Sequence, residues 1–259
     1  MSSNNLKIIK TIIYDSFRSV IIDNSLPIFI LILFIINISI FHLYDYDLFE
    51  EGISKFTLFV CSAFTVFTFI VYSGYLGSKF LGKEISDNTI YPMLIASKSK
   101  FPIYIGKITS GILILFLISS IQYGYMVVTF LYWGPLSNLV LVWILKYFLL
   151  FFLCGVSIFL LSVIIGLISK GFVAPMMFTS IYVVISFFSY NLIPENLNTL
   201  TIDSEIKLVI VLLPSATIRY AQLFIKTYGF IPLTLILLPL ILILWGLITS
   251  YYIFKVVKI

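Results

Sequence analysis

Residues that could carry chemistry are few in this chain. Gly77-Ser-Lys-Phe-Leu-Gly82-Lys83 has the spacing of a phosphate-binding loop, two glycines separated by four residues and followed by lysine. Such a loop needs Ser or Thr next, to hold Mg²⁺, and it joins a strand to a helix. Glu84 stands there instead, where its charge repels phosphate, and a long apolar run comes before it. No nucleotide site is expected in this segment. His42 is the one histidine, whereas zinc and Ser-His-Asp sites need histidine at defined positions, often two. Cys61 and Cys154 lie far apart, each inside an apolar run, with no CxxC spacing; they read as packed thiols. No catalytic, metal or cofactor site is expected, and the chain reads as a non-enzyme.

The elements that must position the remaining charges follow from composition. The chain has 259 residues, 61% apolar and 10% charged, against about 45–50% and about 25% in soluble domains. Its mean hydropathy is +1.15. Sixteen Lys/Arg and eleven Asp/Glu cannot cover a soluble surface of this size. These figures exclude a soluble enzyme, a disordered chain and a disulfide scaffold, and they indicate an all-α polytopic membrane protein.

A bilayer core about 30 Å thick takes about 20 apolar helical residues. Six spans are expected, at 22–41, 56–77, 108–131, 139–169, 172–190 and 231–254. Tyr132-Trp133-Gly134-Pro135 breaks the long uncharged run between the third and fourth. Lys146 falls early in the fourth; a mid-membrane lysine costs about 2.5–3.5 kcal/mol, so either its ammonium snorkels to headgroups or 136–146 is interfacial and the span starts at Tyr147. Small residues four apart, Ser73/Gly77, Ser120/Gly124 and Ser162/Gly166, suggest close helix approach.

Charge sidedness orients the spans. Lys7, Lys10, Arg18, Lys79, Lys83, Lys98, Lys100, Lys107, Lys170, Lys255 and Lys258, eleven of the sixteen basic residues, fall on one side. By the positive-inside rule that side is cytoplasmic and holds both termini, which gives a multi-pass protein of the cell membrane. Residues 1–21 form no cleavable signal, since about twenty residues precede the first span and no A-x-A follows it. Leu6, Ile9, Ile13, Phe17 and Val20 instead make one helical face, with Lys7, Lys10 and Arg18 largely off it. That pattern suits a helix lying on an anionic inner membrane surface. Residues 191–230 are not polar enough for a simple loop, yet neither piece beside Pro214 is long enough to cross; two short helices dipping into the outer leaflet are expected, with a seventh span as the alternative.

The cytoplasmic loop 78–107 carries five lysines and two acids, Glu84 and Asp87. Ser86, Asp87, Asn88 and Thr89 offer capping side chains for a short amphipathic helix from about Thr89, with Pro92 in its first turn. This loop resembles that of the ABC-2 type permeases, the transmembrane subunits of ATP-binding-cassette transporters. Their loop reads glutamate, then Gly-Thr-Leu, an apolar pair, Pro-x-Ser/Thr-Arg and an apolar-Gly-Lys exit. Glu84 matches the glutamate, Thr89-Ile90 the Thr-Leu with Asn88 for glycine, Met93-Leu94 the pair, and Ile105-Gly106-Lys107 the exit. Ser97-Lys98-Ser99-Lys100 replaces the Pro-x-Ser-Arg region. The span layout, the N-terminal helix and the broken outer segment are also similar.

The resemblance implies a permease subunit of an ATP-driven exporter that pairs with a second permease subunit. It also implies docking of a separate ATPase, in which ATP and Mg²⁺ would reside. Coupling and gating would then fall to Glu84, Asp87, Thr89, Met93, Leu94, Lys98, Gly106 and Lys107, with Lys7, Lys10 and Arg18 on the interfacial helix. The lipid bilayer is a further partner, and no nucleic acid is expected. An ATP-independent carrier or channel, or a membrane anchor subunit, is the alternative. No Asp or Glu lies in the middle of any expected span, which argues against ion coupling.

Overall fold

A computed structural model describes residues 3–44, 63–97, 99–133, 138–192, 217–218, 221 and 233–257. The described residues are helical, with no strand among them. The principal helices are α1 (Ser3–Ile22), α2 (Ser25–Tyr44), α3 (Ala63–Gly77), α4 (Ile90–Ser97), α5 (Lys100–Trp133), α6 (Asn138–Ser169), α7 (Val173–Leu192) and α8 (Leu233–Val256). A π-turn, Ser78–Lys83, and one α-turn, Glu84–Ser86, continue α3.

By length and composition, three described helical segments can each cross a membrane: Lys100–Val128, Ile144–Ser169 and Leu235–Val256. The pair Asn5–Ile22 and Ser25–Ser39 passes the same test only as one unit, bent by 59°. The third expected span starts earlier than its uncharged run. α5 begins at Lys100 rather than at 108, because Lys100 and Lys107 both have partners inside the fold. The expected outer segment 191–230 lies outside the described residues except for 191–192 and the buried Thr217, Ile218 and Ala221. The start of the second expected span, 56–62, and the side chain of His42 also lie outside them.

α6 is the central element. Protein buries 72% of its apolar window, against 28% in α8. α3 can approach α6 because glycines line the contact. A Cβ on Gly77 would stand 2.7 Å from Ser162 Cβ, and one on Gly82 would stand 2.5 Å from the Gly171 carbonyl oxygen and 3.2 Å from Gly166 Cα. Two of the three small-residue pairs are thus used for packing. Gly124, in the third, has nothing within 4 Å of its Cβ position. α6 stops at Ser169, where Lys170 turns left-handed (φ 51°) and the Gly171 N–H returns to the Gly166 carbonyl at 3.3 Å.

α1 has three sides rather than two. Ile9, Ile12, Ser16 and Val20 are buried, and Ile12 lies against Gly106 of α5. The expected face also included Leu6, Ile13 and Phe17; Leu6 is exposed, while Ile13 and Phe17 lie at the edge of the buried strip. Lys7, Lys10 and Arg18 are exposed. Protein contact, rather than hydropathy alone, selects the inner strip and leaves Leu6, Tyr14, Ile21 and Ile22 exposed among the basic residues.

Candidate functional site

Four segments assigned from sequence to one side meet at one end of the helical bundle. The bend after α1 touches the π-turn through Asp23 and Lys79. Gly82 of the π-turn abuts Gly171 of the α6–α7 turn. Lys100, opening α5, donates from Nζ to the Phe254, Lys255 and Val257 carbonyls at 3.3, 3.3 and 2.6 Å. Those are carbonyls that a helix end leaves without intrahelical partners.

Glu84 sits where the π-turn passes into the following turn. Its Oε1 accepts from Lys107 Nζ, and the two side chains are 19% and 3% exposed. Glu84 is therefore no surface charge. Its Oε2 is buried with no hydrogen-bond partner. Burial pushes the Glu84 carboxyl above the usual carboxylate range, more strongly than the Lys107 ammonium pulls it down. The Phe80 ring lies 5.8 Å from Lys107 Nζ. Gly106, the neighbour of Lys107, leaves room for Ile12 of α1. α5 and the loop therefore meet at one part-buried ion pair, beside the contact of α1 with Gly106.

The segment Gly77–Lys83 is helical throughout. Its glycines face α6 and the α6–α7 turn.

The expected capping residues act on the preceding turn. Ser86 Oγ donates to the Lys83 carbonyl at 2.8 Å, and Thr89 Oγ1 donates to the Glu84 carbonyl at 3.3 Å. Hydroxyls are donors, and the carbonyls ending that turn are the groups in need of one. Asp87 is exposed, with its Oδ1 3.1 Å from Ser86 Oγ as a second, competing acceptor for that hydroxyl. Asn88 adopts a left-handed conformation, φ 59°, which asparagine tolerates and glycine favours.

α4 starts one residue after Thr89 and is eight residues long. Ile90 and Ser97 are buried, and Met93 and Leu94 are half-buried against the core. The outward face is Tyr91, Pro92, Ile95 and Ala96, with Ile95 79% exposed. Met93 and Leu94 therefore anchor the helix rather than project from it. Lys98 lies outside the described residues. Sequence reasoning passed over Lys79, Asp23 and Lys100 as site residues. A lysine that turns inward carries no local signal, because its partner is distant in sequence.

A second polar contact lies along α2 and α5. Asn37 Nδ2 donates to Gln122 Oε1 at 2.8 Å, Gln122 Nε2 returns to Asn37 Oδ1 at 3.2 Å, and Tyr125 Oη donates to the Asn37 carbonyl at 2.9 Å. The amides floor a shallow cleft of about 600 Å³ whose walls are otherwise apolar.

The chain matches no known protein-family model and no curated protein.

Proposed function

We propose that this chain is the permease subunit of an ATP-driven exporter of the ABC-2 type, as its loop resemblance implies. In this reading six helices cross the cell membrane and both termini are cytoplasmic. The α1 helix lies on the inner surface, and a second permease subunit completes the translocation path. ATP hydrolysis belongs to a separate soluble ATPase, which docks on α4.

The observation that carries the reading is the outward face of α4. Tyr91, Pro92, Ile95 and Ala96 are apolar and exposed. They stand at the bundle end where the bend after α1, the loop and the end of α8 converge. An apolar face on a short helix, held by Met93 and Leu94 beneath it, suits a groove on a protein partner. The left-handed turn at Asn88 also fits the resemblance, since the family's glycine at that position would favour the same conformation.

The test is co-expression with a candidate ATPase that carries a complete phosphate-binding loop. Ile95→Asp is expected to abolish co-purification while leaving the permease folded. Leu94→Asp is expected to unfold it, because that side chain packs inward. If Tyr91→Asp and Ile95→Asp leave the complex intact, the docking face is wrong. Gradient-driven flux through the purified chain, with no ATPase present, would establish the carrier reading instead.

A further inference from the structure

We infer that Lys79 is a latch that holds α1 at its angle to α2 and passes displacement of α4 to that bend. The inference rests on the proposed function for its consequence in transport, while the latch itself is a property of this chain alone.

Lys79 lies in the π-turn, whose residues Ser78 to Gly82 are all buried. A π-turn departs from the α-helical ladder, and such turns recur at functional positions. Here the turn is enclosed by three neighbours. Gly82 lies on the α6–α7 turn, Phe80 lies beside Lys107 of α5, and Lys79 reaches the end of α1. Its Nζ stands 2.6 Å from Asp23 Oδ2, 3.4 Å from the Ser19 carbonyl and 6.0 Å from the Tyr75 ring centroid. A cation placed at a helix C-terminus, on a carbonyl of the last turn, is favourable.

The two partners are unequal. The Lys79 side chain is 8% exposed and that of Asp23 48%. The lysine is fixed, whereas the aspartate has solvent on its open side and can leave. The bend it closes rests on Asn24 at φ 54°, a left-handed residue between two helices that lie 59° apart. Glu84 follows the same π-turn, and α4 begins at Ile90, four positions after the Glu84–Ser86 turn ends at Ser86. A push on α4 reaches the π-turn through Glu84, and Lys79 hands it to the bend. Lys79 and Asp23 are positioning residues, since neither is assigned contact with a transported molecule.

Amide hydrogen exchange on the full chain in lipid nanodiscs tests this directly. Lys79→Met and Asp23→Asn are each expected to speed exchange of the amides at 19–24 by about tenfold, the scale of a lost charged hydrogen bond. The core amides of α5 and α6 should stay unchanged, and Asp23→Glu should retain the wild-type rates. If Lys79→Met fails to fold, Asp23→Asn carries the test, because Asp23 is half-exposed. Unchanged exchange at 19–24, or a uniform rise across α5 and α6, overturns the latch. In the complex with the ATPase, both substitutions are expected to preserve docking and hydrolysis while lowering transport per ATP at least fivefold. Faster exchange with unaltered transport per ATP would overturn the transmission step. Faster exchange in a chain that recruits no ATPase would leave the latch standing and remove the proposed function.

Discussion

The Glu84–Lys107 pair gives the sharpest test of the site's energetics. Lys107→Met keeps the length of the side chain and removes its charge. Glu84 would then face a buried environment with neither oxygen paired, since Oε2 already lacks a partner. Removing one member of a buried pair costs about 3–5 kcal/mol, and Lys107 at 3% exposure is well inside that regime. At about 2–4 °C per kcal/mol for a chain of this size, the apparent Tm should fall by about 6–20 °C. The double variant Glu84→Gln, Lys107→Met leaves no charge behind and should recover most of the loss. Differential fluorimetry on purified protein in one fixed detergent reads all four corners of this cycle. Additive losses in the double variant would refute the pair as a unit. The pH dependence has a definite sign. The folded carboxyl titrates above its ordinary value of about 4.3, so the folded chain keeps a proton that the unfolded chain releases. Its contribution to stability therefore falls as pH rises from that value to the raised folded one, then stays flat. Across that window wild type should lose apparent Tm relative to Glu84→Gln. Lys107→Met should extend the loss to higher pH, because the cation that lowers the carboxyl is gone.

Three further outcomes are expected. Gly82→Ala would bring a Cβ to 2.5 Å from the Gly171 carbonyl oxygen, a backbone clash costing about 1–3 kcal/mol, whereas Gly124→Ala meets open space and should leave apparent Tm unchanged; equal shifts would mean that the glycine contact with α6 is misassigned. Asn37→Leu and Gln122→Leu should each cost about 0.6 kcal/mol and no more than about 1.7, with the pair strongly non-additive in a double-mutant cycle. If the chain docks an ATPase through the apolar face of α4 as proposed, that complex should survive about 1 M salt, where the Debye length is about 3 Å; loss of co-purification on raising salt would assign docking to charges instead.

The sequence made the helices legible because their signal is local. Breaks at Gly134-Pro135 and at Lys170-Gly171 separate α5, α6 and α7, although the uncharged run beginning at 108 misses the first turns of α5, which opens at Lys100. The small-residue pairs in α3 and α6 were legible for the same reason. The π-turn was not, since Ser78–Lys83 has no composition that distinguishes it from an α-helix. The facing of α4 was not legible either. Ile90, Tyr91, Met93, Leu94 and Ile95 leave no polar stripe to mark an outer side, so only packing shows that Met93 and Leu94 turn inward. On α1 the inner strip passes through Ile12 and Ser16 because Gly106 receives Ile12 there. Hydropathy could not choose it, as Leu6 and Phe17 are apolar too.

The lysines show where counting charges ends and geometry begins. Five of them in residues 78–107 look like one basic surface. Three turn inward: Lys79 to the bend after α1, Lys100 to the end of α8 and Lys107 to Glu84. Lys83 is the one left exposed among the described residues. The lysines counted from sequence as an orientation signal therefore also tie helices together inside the fold. A lysine is suited to that task, because its long stem lets its charge reach a distant helix end. The inward-turning lysines and the proposed docking face are thus different residues. Neutralising the lysines should uncouple the helices that meet here, and only changes on Tyr91 or Ile95 should release a partner.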